Sequence, residues 1–497
     1  MTEETADLAA ALLELAARAP AGRFAWLDGG AQRGFCGIDV DLEIAEDDLA
    51  GLERVERAWR ADPTRIWIGW ITYELGVDAL LGRPPRRGAL PGLCLRRYRG
   101  ALELDGGGVQ GHGEAAAVER LRAALASARP RSASLDPRRA RAEELSQERD
   151  TIAATSERAR ATWQSDRDGP PSSRSEQLDA GAARASAGGL ASWPLERLET
   201  RIEPTDYRAR IRRAKESIAA GDTYQVNLSQ PFTARWRPDA VAGLARRAAA
   251  IYGHLRASTP ASMGALLDVG GAWIASNSPE TLVDVRLGSG VPDRARSWPI
   301  KGTRPRGGDA AEDQARRVEL MSCPKERAEH VMIVDLVRND LGRVALAGTV
   351  TAPRRPTLVT LPTVHHLVSE VSCALRPGWS LRQLVDALFP GGSITGAPKR
   401  RTIEIIEALE ERPRGIYCGA LLVLEPGGLR LSIPIRTALI DDAGLLARGG
   451  GGVVADSDPE AERRETITKL RAFDRCPMGQ VQPARENSIG ARAHDVR

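Results

Sequence analysis

One lysine stands out as a candidate reactive group. Only five of the 70 basic residues are lysines, and Lys301 lies in the stretch Pro-Ile-Lys-Gly-Thr-Arg-Pro at residues 299–305. Arginine keeps its proton, whereas a desolvated lysine can lose its proton and act as a nucleophile. The prolines stiffen this stretch, and Gly302 lets the backbone come close to a ligand. Lys301 is therefore either a presented nucleophile or a charge on a loop.

A carboxylate precedes this lysine at a strand end. Glu280 closes a predicted strand at residues 272–275 and stands 21 residues before Lys301. A hairpin would bring the carboxyl and the amine into one cleft, where the two groups can divide acid and base work. A simple turn remains the alternative, because serine, asparagine and proline in residues 276–279 are turn formers.

A second carboxylate lies on an apolar helix face. Glu329 shares a stripe with Ile333 and Leu336, at i+4 and i+7. A carboxylate in such a place must be paired, protonated or bound to a metal. Mg²⁺ is one solution, and an ion pair with Arg327 or Arg338 is the other.

Three further segments suit an anionic ligand. Residues 389–399 form a glycine-rich loop that enters a helix, although the loop lacks the Gly-Lys-Ser/Thr ending of a nucleotide P-loop. Arg436, in a predicted strand at residues 433–439, suits bidentate recognition of a carboxylate, and a structural ion pair is the alternative. Four consecutive glycines at residues 449–452 stand before two valines, so the backbone here is expected to lie against another group.

The predicted helices and strands place these groups near the ends of elements. Asp206 is the predicted N-cap of a helix that ends near Gly221. Residues 224–230 alternate polar and apolar side chains, which is typical of an antiparallel strand with one wet face. Pro324 at a first helical position opens the helix that carries Glu329.

The 497 residues divide by composition into four segments. Residues 1–130 read as an N-terminal α/β domain with a helix near Leu8 and a strand near residues 66–71. Residues 131–195 are rich in arginine, alanine and serine and read as a linker or insertion. Residues 196–478 carry the candidate site, and residues 479–497 read as a flexible tail.

Composition excludes several classes of protein. The net charge is only +4, and no basic block is interleaved with aromatic residues, so nucleic acid is not an expected partner. No apolar run approaches the ~20 residues of a membrane span. The N-terminus lacks the features of a signal peptide, and the six cysteines form no Cys-x-x-Cys pair. We therefore expect a cytoplasmic protein with reduced thiols.

Taken together, these segments resemble the chorismate-utilising enzymes, which include component I of anthranilate synthase and of aminodeoxychorismate synthase. The resemblance covers residues 204–475 and is most specific at residues 325–342, 391–399 and 450–469. It implies an α+β chorismate-binding fold, in which packed β-sheets are flanked by helices.

The resemblance also implies a site for chorismate and Mg²⁺. Glu329 and Glu465 would bind the metal, Glu280 would be the general acid, and Lys301 the nucleophile. His366 would orient the ring or its leaving group. The residues that would bind or line the substrate are Gly302, Thr303, Ser393, Tyr417, Arg436, Gly450, Gly451 and Gly452.

Two positions indicate which branch of the family the chain resembles. Anthranilate synthases carry alanine in place of Lys301, whereas aminodeoxychorismate synthases carry the lysine. Asn227, in the sequence Tyr-Gln-Val-Asn-Leu, is also similar to the aminodeoxychorismate type. The alternatives are an anthranilate synthase, an isochorismate or salicylate synthase that uses water, and a catalytically idle paralogue.

The sequence contains no Gly-x-Cys-x-Gly nucleophile elbow of a glutaminase. The resemblance therefore implies a separate glutamine amidotransferase partner that supplies ammonia. No fused lyase is recognised either, so the product is expected to keep its enolpyruvyl group.

Overall fold

A computed structural model describes residues 3–19, 22–29, 33–105, 108–128, 193–240, 242–361 and 364–474. The predicted insertion at residues 131–195 lies outside the described residues except for its last three. The predicted tail at residues 479–497 lies entirely outside them.

The described residues form eleven α-helices, and two short 3₁₀ turns at Gly392–Ile394 and Arg471–Phe473. The helices are α1 Glu3–Arg18, α2 Gly51–Ala61, α3 Tyr73–Leu81, α4 Ala115–Ala128, α5 Pro204–Ala219, α6 Leu244–Ser258, α7 Ala310–Ser322, α8 Pro324–Gly342, α9 Leu381–Leu388, α10 Lys399–Leu409 and α11 Pro459–Thr468.

The same residues form 21 β-strands. The strands are β1 Ala25–Asp28, β2 Gly34–Gly37, β3 Val40–Glu46, β4 Trp67–Ile71, β5 Leu93–Tyr98, β6 Gly100–Asp105, β7 Gly108–Gly113, β8 Gln225–Arg235, β9 Met263–Asp268, β10 Trp273–Ser278, β11 Thr281–Arg286, β12 Arg294–Ser297, β13 Ile300–Pro305, β14 Thr357–Thr360, β15 Val364–Val368, β16 Val371–Ala374, β17 Gly396–Ala397, β18 Ala420–Glu425, β19 Gly428–Ser432, β20 Thr437–Asp441 and β21 Gly444–Val453.

Two large antiparallel sheets and one small sheet organise the chain. The ten-stranded sheet has the order β17-β8-β21-β20-β10-β9-β1-β2-β6-β7, and the eight-stranded sheet has the order β16-β12-β11-β19-β18-β4-β5-β3. The small sheet has the order β13-β15-β14. Segments on both sides of residues 131–195 contribute to both large sheets, so the predicted N-terminal domain does not form a sheet of its own.

The two large sheets pack face to face and carry helices on their outer faces. One core joins Trp70 of the eight-stranded sheet to Ile274 of the ten-stranded sheet. A second core places α2 and α9 against the eight-stranded sheet, and a third places α1, α4 and α6 against the ten-stranded sheet. Each large apolar side chain buried in these layers contributes ~1.5–3 kcal/mol. The predicted arrangement of packed sheets flanked by helices agrees with these layers.

Several local predictions can be compared with the structure. The helix near Leu8 and the strand near residues 66–71 are confirmed as α1 and β4. The N-cap prediction is wrong, because α5 begins at Pro204 and Asp206 lies in its first turn. The wet face predicted for β8 is also wrong: Gln225 and Val226, on opposite faces, are both fully buried. No described helix is long and apolar enough to cross a membrane.

Candidate active site

Lys301 lies on β13, at the edge of the small sheet. The pairing of β13 with β15 is interrupted between Lys301 and Thr303, and Gly302 in between has φ 77°, a conformation that favours glycine. Lys301 as a whole is partly exposed, yet its ammonium is enclosed by protein. Burial lowers the pKa of Lys301, and the charges of Glu329, Glu280 and Glu465 act against that shift. The charges of all three predicted glutamates thus act on this ammonium.

Glu280 is buried between β10 and β11, and the Ser393 hydroxyl donates a 2.5 Å hydrogen bond to its Oε1. Burial raises the pKa of Glu280, although this bond and the charge of Lys301 act in the opposite direction. The predicted hairpin is wrong, because β10 pairs with β9 and β20 whereas β13 pairs with β15. Glu280 and Lys301 are brought near each other by the tertiary structure, because Lys301 lies in the small sheet whereas the strands β10 and β11 that flank Glu280 belong to the large sheets.

Glu329 and Glu465 approach this space from two helices, α8 and α11. Burial raises the pKa of Glu329, and the charge of Glu465 adds to the rise. The alternative ion pair of Glu329 is not formed: no described cation lies within salt-bridge distance of it, and Arg338 binds Asp335 at 2.9 Å. Glu465 forms an ion pair with Lys469, in which Oε1 lies 2.6 Å from Nζ.

These carboxylates fit a magnesium ion. Among the described residues, no group of three or more histidine, cysteine, aspartate or glutamate side chains could by itself hold a metal. Magnesium, however, is usually bound by one or two protein carboxylates together with water and substrate oxygens. Glu329, half-buried and without an ion pair, beside Glu465 has the donor chemistry of such a site. A third carboxylate, Glu462, lies close enough to Glu465 for that charge to raise its pKa.

His366 and Thr303 lie opposite each other on β15 and β13 of the small sheet, next to Lys301, and Arg436 is close enough for its charge to act on His366. The Oγ1 of Thr303 lies 2.9 Å from Nδ1 of His366. Burial lowers the pKa of His366, and the nearby charge of Arg436 lowers it further. The predicted strand at residues 433–439 is wrong at its start, because β20 begins at Thr437 and Arg436 has φ 49° in the preceding bend. No described acid forms an ion pair with Arg436, whose pKa is lowered by burial.

The four glycines belong to β21, which lies between β8 and β20. A Cβ added at Gly450 would lie 2.7 Å from the Tyr417 hydroxyl, and one at Gly451 would lie 2.9 Å from Oε2 of Glu462. A Cβ at Gly452 would lie 3.0 Å from the side-chain nitrogen of Gln225. The backbone of this strand therefore lies against the side chains of Tyr417, Glu462 and Gln225, and the sequence predicted that it would lie against another group.

Gln225 is a site residue that the sequence reasoning missed. It is fully buried next to Gly452, and neither polar atom of its amide has a hydrogen-bond partner. A buried amide without partners is costly unless a ligand supplies them. The sequence feature that could have identified Gln225 is the alternation of residues 224–230, which places Gln225 and Asn227 on the same polar face of the strand.

Comparisons with known proteins show the family of this chain. Residues 38–475 match the family of chorismate binding enzymes. The chain is 40% identical over 266 residues to component 1 of aminodeoxychorismate synthase from Klebsiella aerogenes, covering 53% of this chain and 56% of that protein. It is 41% identical over 266 residues to component 1 of anthranilate synthase from Aquifex aeolicus, covering 53% of this chain and 51% of that protein. The aligned region thus spans about half the length of these relatives.

The fold has a solved counterpart. The crystal structure of anthranilate synthase component I from Streptococcus pneumoniae TIGR4 superposes with a TM-score of 0.62 at 25% identity, covering 89% of this chain and 92% of that one. The predicted fold class is therefore confirmed. Relatives with two different named activities match equally well, so similarity alone does not choose the reaction. The chain belongs to the family of chorismate binding enzymes.

Proposed function

We propose that this enzyme aminates chorismate to 4-amino-4-deoxychorismate, with ammonia from a separate glutamine amidotransferase, in the biosynthesis of para-aminobenzoate and folate. The observation that carries the proposal is Lys301 on β13, because burial lowers its pKa and the charges of Glu329 and Glu280 act on its ammonium. A lysine with a depressed pKa is a usable nucleophile near neutral pH. Anthranilate synthases have no nucleophile at this position, since they carry alanine there.

The proposed reaction has two allylic displacements. In the first, the free amine of Lys301 attacks C2 of chorismate, the ring double bond moves, and the 4-hydroxyl leaves as water with a proton from Glu280. In the second, ammonia bonds to C4, the double bond returns, and the C2–lysine bond breaks. The lysine nitrogen, which is a secondary ammonium in the adduct, leaves as the free amine, and the proton lost from the new C4 ammonium group returns to the Glu280 carboxylate. The sum is chorismate plus ammonia giving aminodeoxychorismate plus water.

The raised pKa of Glu280 supports its assignment as the general acid, because the carboxyl keeps its proton nearer to neutral pH. The lowered pKa of His366 keeps that imidazole neutral, so it can orient the ring or its hydroxyl without adding charge. General acid–base catalysis of this kind contributes ~10²- to 10⁴-fold in rate.

Chorismate is a dianion, and its two carboxylates need separate binding groups. Glu329 and Glu465 would hold Mg²⁺, which neutralises the charge of the ring carboxylate when bound. Arg436 would bind the other carboxylate, because its buried guanidinium has no acidic partner among the described residues. Tyr417, Ser393, Gly302, Thr303 and the backbone of residues 450–452 would line the rest of the site.

Anthranilate synthesis is the second candidate, since an anthranilate synthase component matches this chain at 41% identity. That reaction would use the same substrates but release pyruvate and a fluorescent aromatic product. The named relatives are component 1 proteins, which supports a partner subunit for either reaction.

Product analysis tests the proposal. The purified chain is incubated with chorismate, MgCl₂ and ammonium chloride, and a lyase is then added to release aromatic products. Para-aminobenzoate is the expected product, whereas anthranilate, isochorismate or no turnover would each overturn the proposal.

The variant Lys301→Ala tests the nucleophile. It is expected to abolish or redirect the amination while chorismate binding, measured by calorimetry, stays largely intact. Unchanged aminodeoxychorismate output would remove Lys301 from the mechanism.

A further inference from the structure

A cavity of about 530 Å³ lies next to the proposed substrate site. Of the residues proposed for the substrate site, only Tyr417 also lines this cavity. The cavity is bounded by residues 86–90, residues 411–417, β8, β20 and β21. It is thus a second space next to the proposed substrate site, and the two share Tyr417.

The lining is rich in positive charge, with seven arginines against three glutamates. Acids outside the lining balance three of these arginines: Glu410 binds Arg414 and Arg448, and Asp78 binds Arg86. Within the lining, a fourth arginine is paired with a glutamate at 2.5 Å. The remaining arginines decide the charge of the cavity.

Those remaining arginines stand at the mouth. Arg201 and Arg412 are exposed and line the cavity, and neither guanidinium forms an ion pair with any described residue. Arg87 reaches Asp47 only at 3.7 Å. One acidic residue at the mouth opposes these arginines. It is the exposed Glu199, which forms no ion pair with a described cation. The mouth therefore keeps a net positive charge that a ligand can neutralise.

The walls are largely apolar. The apolar residues of the lining include Leu90, Ile202, Pro413, Ile416 and Leu439. A volume of this size falls in the range of small-molecule sites, ~300–1,000 Å³, which typically combine apolar walls with a few convergent polar groups. Arginine forks match carboxylates bidentately. We propose that this cavity binds a small organic acid, with its carboxylate at Arg201 and Arg412 and its apolar body between the walls.

Arg414 and Tyr417, which both line the cavity, connect it to the proposed substrate site. Arg414 donates hydrogen bonds to the backbone carbonyls of Ile394, in the loop before α10, and of Asn227, in β8. The Tyr417 hydroxyl lies against Gly450, so that a Cβ there would be 2.7 Å away. A ligand that shifts either side chain changes the binding of chorismate, and by linkage chorismate changes the binding of the ligand by the same factor. The site is therefore suited to regulation, whichever nucleophile the catalytic site uses.

Calorimetric titration of the full chain with phenylacetate tests the site. Saturable binding with a Kd of about 1 mM or tighter is expected, and the double variant Arg201→Glu/Arg412→Glu is expected to weaken it at least about tenfold. Arg212→Glu/Arg213→Glu is the matched control, because these arginines are exposed on α5 and do not line the cavity. The control should bind within about twofold of the unmodified chain, and both variants should keep its thermal transition.

Competition separates this cavity from the catalytic site. Phenylacetate should still bind when chorismate is at saturation. Chorismate should change the Kd of phenylacetate by some factor, and phenylacetate should change the Kd of chorismate by the same factor. No saturable binding, equal weakening in both double variants, or full displacement by chorismate would each overturn the proposal. Binding in the cavity without any reciprocal change would overturn the coupling.

Discussion

Glu410→Gln is expected to lower the free energy of unfolding by about 3–5 kcal/mol. Glu410 follows α10 and is buried, with only 3% of its side chain exposed. Its carboxylate accepts hydrogen bonds from the backbone and hydroxyl of Ser229 at 2.7 and 3.0 Å, from Arg414 at 2.7 and 3.0 Å, and from Arg448 at 2.8 Å.

The magnitude follows from the charges that the substitution leaves behind. The side chains of Arg414 and Arg448 are 1% and 5% exposed. Glutamine keeps the volume of Glu410 but removes the negative charge, so two buried guanidinium groups lose their partner. Removing one partner of a buried ion pair costs ~3–5 kcal/mol because an uncompensated charge remains. That loss is a large fraction of the ~5–15 kcal/mol by which proteins are stable.

Urea unfolding at pH 7 measures the effect as a lower midpoint with an unchanged slope. Glu411→Gln is the matched control: the same substitution one residue later, at a side chain that is 77% exposed and paired with Arg210. Exposed pairs contribute at most ~1 kcal/mol, so the control should unfold near the unmodified chain. Equal midpoints for the two variants would refute the reasoning.

The pH dependence gives a second check on Glu410. Burial alone would raise the pKa of Glu410, but Arg414, Arg448 and the hydrogen bonds outweigh burial and lower it. A lowered folded pKa contributes stability above the unfolded value of ~4.3 and loses it as pH falls through the folded pKa. The difference between the unmodified chain and Glu410→Gln should therefore stay constant from about pH 5.5 to 7. A difference that shrinks across that window would show that the carboxylate is not stabilised.

Three further outcomes are expected. The pH profile of kcat/KM should be bell-shaped, because the active form needs Lys301 without its proton and Glu280 with its proton, and burial brings the two pKa values closer together than usual by lowering the first and raising the second; a profile that lacks either limb of the bell would contradict the assignments. Glu329→Gln should raise the Mg²⁺ concentration for half-maximal activity at least about tenfold, and calorimetry should show weaker Mg²⁺ binding; an unchanged Mg²⁺ titration would remove this carboxylate from the metal site. Gly396→Ala should lower the free energy of unfolding by about 2–3 kcal/mol, because φ is 147° and the new Cβ would lie 1.9 Å from a backbone oxygen. The control is Gly427→Ala, where the new Cβ would have no atom within 4 Å. Urea unfolding should show that this control changes the free energy by less than about 0.5 kcal/mol.

The sequence determined the residue types of the site. Three features could be recognised from the sequence: a lysine among arginines, a glutamate on an apolar helix face and four consecutive glycines. Each is unusual for an ordinary surface or core position, and local chemistry therefore indicates a special role. The strand near residues 66–71 and the helix that begins at Pro324 were readable for the same reason, since periodicity and proline placement act within one element.

Only the tertiary structure decided which of these groups meet. Glu280 lies between β10 and β11, which belong to the two large sheets, whereas Lys301 lies in β13 of the small sheet, so no sequence separation could place them together, and the predicted hairpin was wrong. The burial of Gln225 depends on what packs on both faces of β8, and alternation within a strand cannot show that. The cavity between residues 411–417 and β20 has no local signature at all, because its walls come from segments distant in sequence. Contacts of this kind depend on packing between layers, and packing is a property of the whole fold.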